Sequence, residues 1–184
     1  MSTRRELLRS GLGAAAIGAA GMIGVPLKAF AQAADPRRVA LHNLHTGESL
    51  EAVYWDKGEY VPDAMQALNK VLRDFRTGDV HPIDPGLYDI LDAISAKVEN
   101  RAPFQIISGY RSPKTNAMLH SRSEGVAAHS LHMDGMAMDI RLDGVALTNL
   151  HGAALSLKKG GVGFYPTSNF VHVDVGRVRT WNGV

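Results

Sequence analysis

The sequence predicts an α+β domain, an antiparallel sheet with helices packed on one side. Three observations carry that expectation. Apolar residues recur at helical spacing over residues 62–75 and 85–98, in the first half of the chain. Short extended runs bounded by Gly, Asn and Asp dominate the second half. The 184 residues are 45% hydrophobic and 21% charged, close to globular averages. Wholesale disorder and collagen-like repeats are thereby excluded, and one domain with its own core is expected.

The elements follow in order. Val39 to Leu44 alternates loosely, His45-Thr46-Gly47-Glu48 follows as a turn, and Ser49 to Trp55 resumes the extended pattern, which reads as a hairpin. From Pro62 to Phe75, residues Met65, Leu68, Val71, Leu72 and Phe75 mark one helix face. Asp84-Pro85 supplies an N-cap followed by Pro at the first helical position, and Leu87, Ile90, Leu91, Ile94 and Val98 make the stripe of a second helix. Phe104 to Ile107 reads as a buried strand and residues 113–120 as a short helix. Strands are expected over Met136–Leu142, Val162–Tyr165 and Phe170–Val175, with a helix from about Ala146 to Leu157 after the first of them.

The first 31 residues read as an export leader. Thr3-Arg4-Arg5-Glu6-Leu7-Leu8 is a twin-arginine stretch, residues 11–25 are apolar and rich in Gly and Ala, and Ala29-Phe30-Ala31 offers a small-x-small cleavage site. A run of that length is shorter than the roughly 20 residues that span a bilayer. The expectation is a twin-arginine signal peptide over 1–31, recognised by the twin-arginine export machinery, and a soluble periplasmic domain over 32–184 with no stable membrane span after cleavage.

Charge and cysteine content narrow the function. Four of the 20 Lys+Arg and one of the 18 Asp+Glu fall in residues 1–31, so the rest of the chain holds 16 basic and 17 acidic groups. The part beyond the leader has no basic excess of the kind that marks nucleic-acid binding. With no cysteine, disulfides, thiolate metal sites and cysteine nucleophiles are excluded, and any metal must be held by His, Asp or Glu.

Eight histidines are available. His132 and Asp139 form an H-x6-D pair around Asp134-Gly135, a favoured two-residue hairpin turn. Such a hairpin would pair Met133 with Met136 and His132 with Ala137. Asp139 would then share a face with His132 while Met136, Met138 and Ile140 point into the core. In Asn169-Phe170-Val171-His172-Val173-Asp174, the side chains of Phe170, His172 and Asp174 share one strand face. Polar groups in an otherwise apolar strand need partners. His172 is therefore the candidate third ligand. Two imidazoles and one carboxylate with an open fourth position form a common catalytic zinc arrangement.

The motifs Ser108-Gly109-Tyr110-Arg111-Ser112, His132-x6-Asp139 and His172-Val173-Asp174 occur in that order. In this the chain resembles the M15 group of zinc peptidases, particularly its twin-arginine-exported murein endopeptidases. The resemblance extends through Leu44-His45-Thr46-Gly47-Glu48-Ser49, Asp84-Pro85-Gly86-Leu87 and Gly160-Gly161-Val162-Gly163, and covers nearly all of residues 39–181. It implies a zinc ion (Zn2+) held by His132, Asp139 and His172, with Arg111 near the substrate as a clamp on a carboxylate or a developing oxyanion. It also implies cleavage of peptide bonds in peptidoglycan (murein) stems or cross-links, links between two meso-diaminopimelate residues being the specific suggestion.

One departure concerns the base. Many M15 enzymes carry it three residues before the last ligand, as Glu or Asp, or two before it, as His. Those positions here are Asn169 and Phe170, neither of which can act as a base. Asp174 is the expected substitute because it shares the face of His172, and His129 is second because it lies near His132 in the chain. The alternatives are a D-alanyl-D-alanine carboxypeptidase and a non-catalytic murein-binding module with a structural zinc. A fourth protein ligand, for example His129, would favour the module.

Overall fold

The structure is a computed structural model and describes residues 35–123 and 125–183. The expected leader, residues 1–31, lies outside the described residues. The strands β1 (Arg37–Asn43), β2 (Ser49–Asp56) and β3 (Glu59–Tyr60) are followed by helices α1 (Pro62–Val71) and α2 (Pro85–Lys97). Strand β4 (Phe104–Ser108), helix α3 (Pro113–His120) and a 3-10 turn (Leu131–Asp134) lead to β5 (Ala137–Leu142). Helix α4 (Leu147–Leu157) and strands β6 (Gly161–Tyr165), β7 (Phe170–Asp174) and β8 (Arg179–Asn182) complete the domain.

One sheet runs β3-β2-β1-β4-β5-β7-β6-β8. It is antiparallel except where β1 meets β4 and β6 meets β8. Period-two alternation gives the sheet two unlike faces. Met138, Ile140 and Leu142 of β5 and Val171 and Val173 of β7 are buried in one core with Leu68 and Val71 of α1, Leu87, Leu91 and Ile94 of α2, and Leu150 and Ala154 of α4. Asp139 and His172, on the same two strands, occupy the opposite phase. The sheet thus separates an apolar side under the helices from a side where polar groups can gather. Among the described residues, no helix is long and apolar enough to cross a membrane.

Local chemistry explains most boundaries. Asp84 caps α2, its Oδ1 accepting from Gly86 N–H at 2.8 Å with Pro85 at the first position. Helix α1 ends at Val71 rather than at the expected Phe75. The Asn43 side chain claims the Val71 carbonyl and Tyr110 N–H claims that of Leu72, so the chain turns away at residues 72–74.

The expected Asp134-Gly135 hairpin does not form. Residues 131–134 instead make the 3-10 turn, capped by Ser130, whose Oγ accepts from His132 N–H. Both edges of β5 are already taken by β4 and β7, which leaves no place for a returning strand. Gly135 makes the exit possible. It sits at φ +66°, and a Cβ there would lie 2.2 Å from the Pro82 carbonyl oxygen, so any side chain would displace the backbone. Strands β3 and β8 were not anticipated from the sequence.

Candidate metal centre and its cleft

Register places the site. Ser108 on β4 opposes Asp139 on β5, Asp139 opposes His172 on β7, His172 opposes Gly163 on β6, and Gly163 opposes Trp181 on β8. One lateral row therefore crosses five strands. Between Ile106 and Ser108 the register shifts, a bulge of the kind that re-aims side chains beside active sites. At Gly163 a Cβ would come within 2.6 Å of the Trp181 ring, so the missing side chain lets the indole lie flat over the strand.

His132 enters from the 3-10 turn. Its Nδ1 is 2.8 Å from the Gly109 carbonyl oxygen. A carbonyl only accepts, so Nδ1 carries the proton and Nε2 of the neutral ring presents a lone pair. His172 is fixed in the opposite tautomer. Its Nε2 donates to Asp174 Oδ2 at 3.1 Å, which leaves the lone pair on Nδ1. The two lone pairs and Asp139 Oδ1 point at one another, with separations of 3.3 Å (His132 to His172), 2.9 Å (His172 to Asp139) and 3.3 Å (His132 to Asp139). Three lone pairs facing each other in a buried cluster repel unless a cation lies between them. Tetrahedral zinc with bonds of about 2.0–2.1 Å would set its ligand atoms roughly 3.3 Å apart. The donor set therefore fits a small divalent cation, with each imidazole held in its tautomer by a second partner as at established metal sites.

The electrostatics agree. Burial pushes the Asp139 carboxyl up, but His132 and His172 more than reverse this and hold it well below the usual carboxylate range. Burial lowers His132, and Asp139 only partly compensates. Burial also pulls His172 down, but hydrogen bonds to Asp139 and Asp174 dominate and push it up to about 8.

Arg111 is nine-tenths buried and reaches the same carboxylate from behind. Its Nη2 donates to Asp139 Oδ2 at 3.3 Å and to Ser108 Oγ at 3.1 Å. Its backbone is fixed on both sides. Arg111 N–H donates to the His132 carbonyl at 3.0 Å, and Ser112 N–H donates to buried Asp74 at 2.9 Å.

Asp174, the expected base, lies on the side of the His172 ring away from the converging atoms. It is fully buried, and its oxygens accept from His172, from both terminal nitrogens of Arg179, and from the backbone N–H of Gly161 and Gly176. Burial raises its carboxyl, and these donors outweigh it and hold it well below the ordinary range. It bonds the Nε2 side of His172, while the converging atom is Nδ1. Sharing a strand face places Asp174 beside His172 but on the Nε2 side of the ring, a position suited to orienting the imidazole. His129 stands on the wall of the cleft, exposed, and is not part of the three-residue cluster.

The cluster lies in an open cleft of about 760 Å³. Residues 125–130 form one side. Tyr165 and Phe170, stacked at 4.4 Å, and Trp181, whose Nε1 donates to Tyr165 Oη at 2.9 Å, line the cleft as well.

The family model described as peptidoglycan L,D-endopeptidase MepK matches residues 31–181. The chain belongs to this family, peptidase M15_2. Curated members include peptidoglycan L,D-endopeptidase MepK of Escherichia coli strain K12, 46% identical over 180 residues that cover 98% of this chain and 97% of that protein. The protein of the same name from Shigella flexneri matches to the same extent. A Haemophilus influenzae protein named "Probable peptidoglycan L,D-endopeptidase MepK" is 44% identical over 150 residues, 81% of each chain. No solved structure matches significantly. M15 peptidases are metal-dependent, and the His-Asp-His cluster is the group of side chains in this M15_2 chain, among its described residues, that could hold a metal ion.

Sequence reasoning missed the supports of the M15_2 site. The Gly109 carbonyl, Arg179 and Trp181 had no functional role assigned, and Ser108 entered only as part of a motif. Gly109 precedes Arg111 by two residues, but nothing in the order of residues says its oxygen meets His132. Arg179 reaches Asp174 through the turn before β8, a strand with no apolar pattern of its own.

Proposed function

We propose that the protein is a zinc-dependent peptidoglycan endopeptidase that opens cross-links between stem peptides, the bond joining two meso-diaminopimelate residues first among them. The observation that carries this reading is the convergence of His132 Nε2, His172 Nδ1 and Asp139 Oδ1 on the floor of an open cleft. Two imidazoles and a carboxylate suit zinc. The cluster has three members among the described residues, whereas structural zinc sites are usually closed by four ligands. That supports hydrolysis over a purely structural role. The relatives' names, peptidoglycan L,D-endopeptidase, support cross-links over terminal trimming.

Bound among these ligands, the ion would supply Lewis acidity, polarising the scissile carbonyl and activating water near neutral pH. The chain's own residues do the rest. Gly109 and Asp174 fix the two imidazole tautomers. Arg111, which lines the cleft, commits Nη2 to Asp139 and Ser108, and its positive charge serves a substrate carboxylate or the oxyanion that develops at the attacked carbonyl. His129, the imidazole on the cleft wall outside the ligand set, takes the proton from the attacking water and returns it to the leaving amine. The twin-arginine leader would deliver the folded domain to the periplasm, where its polymeric substrate lies.

The test uses purified stem-peptide dimers of two kinds, one joined between two meso-diaminopimelate residues and one joined from D-alanine to meso-diaminopimelate. The proposal expects the first to be converted to monomers. Removal of terminal D-alanine with both dimers intact would replace it with the carboxypeptidase reading.

A further inference from the structure

Asn116 is a helix-interior asparagine, a residue that helices do not favour, and it is 2% exposed. Its carboxamide nitrogen lies 3.1 Å from the Ala127 carbonyl oxygen and 3.1 Å from that of Ala128. Those two carbonyls belong to residues 125–130, the strap that forms one side of the cleft and carries His129. We propose that Asn116 is a positioning residue for the endopeptidase reaction, its two N–H groups clamping the strap so that the cleft is set to the width of the substrate peptide. The inference rests on the reading given under the proposed function for its choice of substrate.

Few other contacts can perform this task. Gly125, Ala127, Ala128 and His129 are exposed, and the strap buries little apolar surface of its own. Besides Asn116, the His120 ring, one turn further along α3, meets the Val126 carbonyl. Segments of this kind open at low free energy, so these few hydrogen bonds, two of them from Asn116, decide how often the wall is in place. Only a carboxamide suits the position. It offers two donors from one nitrogen to two consecutive carbonyls, where a carboxylate of the same shape offers none.

The mounting is also specific. Helix α3 begins directly after Arg111 and Ser112, and Ser112 caps it by accepting from Thr115 N–H. The strap in turn runs into Ser130, which caps the turn that carries His132. One short helix thus links the arginine beside Asp139, the wall of the cleft and the approach to a metal ligand. Substrate pressed between strap and aromatic wall would feel the loss of Asn116, while the ligand cluster, held by Gly109, Asp174 and Arg111, would not.

The experiment compares wild-type protein with Asn116→Asp, which keeps the shape and removes both donors. Three readouts are taken on metal-loaded protein: amide hydrogen exchange over 125–130, bound metal per chain, and kcat and KM on the dimer linked between two meso-diaminopimelate residues. The proposal expects faster exchange confined to the strap, unchanged metal content, and kcat/KM lower by about tenfold or more, largely through KM. Asn116→Gln, which retains the carboxamide, should recover part of the loss. If Asn116→Asp does not fold, Asn116→Ser, too short to reach either carbonyl, takes its place. Unchanged exchange and kinetics, or a loss of activity that tracks a loss of metal, overturns the proposal. Failure of the wild type to cleave the dimer would refute the functional reading instead, and the exchange data would still decide whether Asn116 holds the strap.

Discussion

Asp139 and His172 face each other directly across β5 and β7, with Asp139 Oδ1 2.9 Å from His172 Nδ1. This pairing brings two of the three converging groups together by sheet register alone. The third, His132, arrives from a 3-10 turn whose ring orientation is set by one backbone carbonyl. Two parts of the fold are thus needed to assemble one set of lone pairs.

Metal content should follow from that convergence. Purified wild-type protein is expected to hold about one zinc per chain. The His132→Ala/His172→Ala double variant should bind essentially none and lose hydrolysis, while retaining its helices, because the apolar core lies on the other face of the sheet. Elemental analysis and circular dichroism check both statements. Full occupancy in the double variant would remove the site assignment.

Asp174 and His129 separate by their response to added metal. Asp174→Asn disturbs the partner of His172 Nε2, so metal affinity should weaken by roughly 10–100-fold and turnover should return at saturating zinc. His129→Ala leaves every ligand untouched, so its metal affinity should stay normal while turnover falls by roughly 10²–10⁴ at any zinc concentration. The reverse pattern, a zinc-insensitive loss in Asp174→Asn and none in His129→Ala, would restore the base to Asp174.

Asp74 gives the domain an acid-sensitive joint. Burial raises its carboxyl, but hydrogen bonds from Ser112, Thr115 and the Arg76 backbone more than reverse this and bring it down to about 2. A carboxyl ionising near 3.9 when unfolded and near 2 when folded stabilises the fold fully above about pH 4, and the contribution disappears as pH falls through 2. The stabilisation is about 2 kcal/mol. Denaturant unfolding of wild type and Asp74→Ala should therefore differ by about that amount at pH 6, and the gap should narrow between pH 4 and pH 2. A gap independent of pH would contradict the assignment.

Much of the fold was legible because it is locally encoded. The β1–β2 hairpin follows from alternation around a Gly-containing turn, and α2 follows from Asp84-Pro85 with an apolar stripe behind it. The phase of β5 was also readable, with Met138 and Ile140 buried on the face opposite Asp139. What could not be read depends on which strands become neighbours. Asp134-Gly135 favours a hairpin in isolation, but β4 and β7 occupy both edges of β5 and the turn becomes 3-10. Asp174 shares a face with His172, yet Arg179 and two backbone N–H groups, from a turn and a strand with no clear signal, draw its carboxylate behind the ring.

Export is tested in cells. Arg4→Lys/Arg5→Lys should hold the precursor in the cytoplasm, since the paired arginines are the recognition feature of that pathway. Normal periplasmic accumulation of the variant in cells with no other route for it would refute the twin-arginine proposal.

The central claim is that the His132, Asp139 and His172 cluster holds the ion with which this cleft opens peptidoglycan cross-links. Its most direct test is digestion of intact sacculi by protein stripped with chelator, the same protein reloaded with zinc, and the reloaded His132→Ala variant, with the released fragments identified by mass spectrometry. Only the reloaded wild type should convert dimeric to monomeric stem peptides while leaving the glycan strands whole. Equal release by stripped protein or by His132→Ala, or no release by any of the three, would contradict the account.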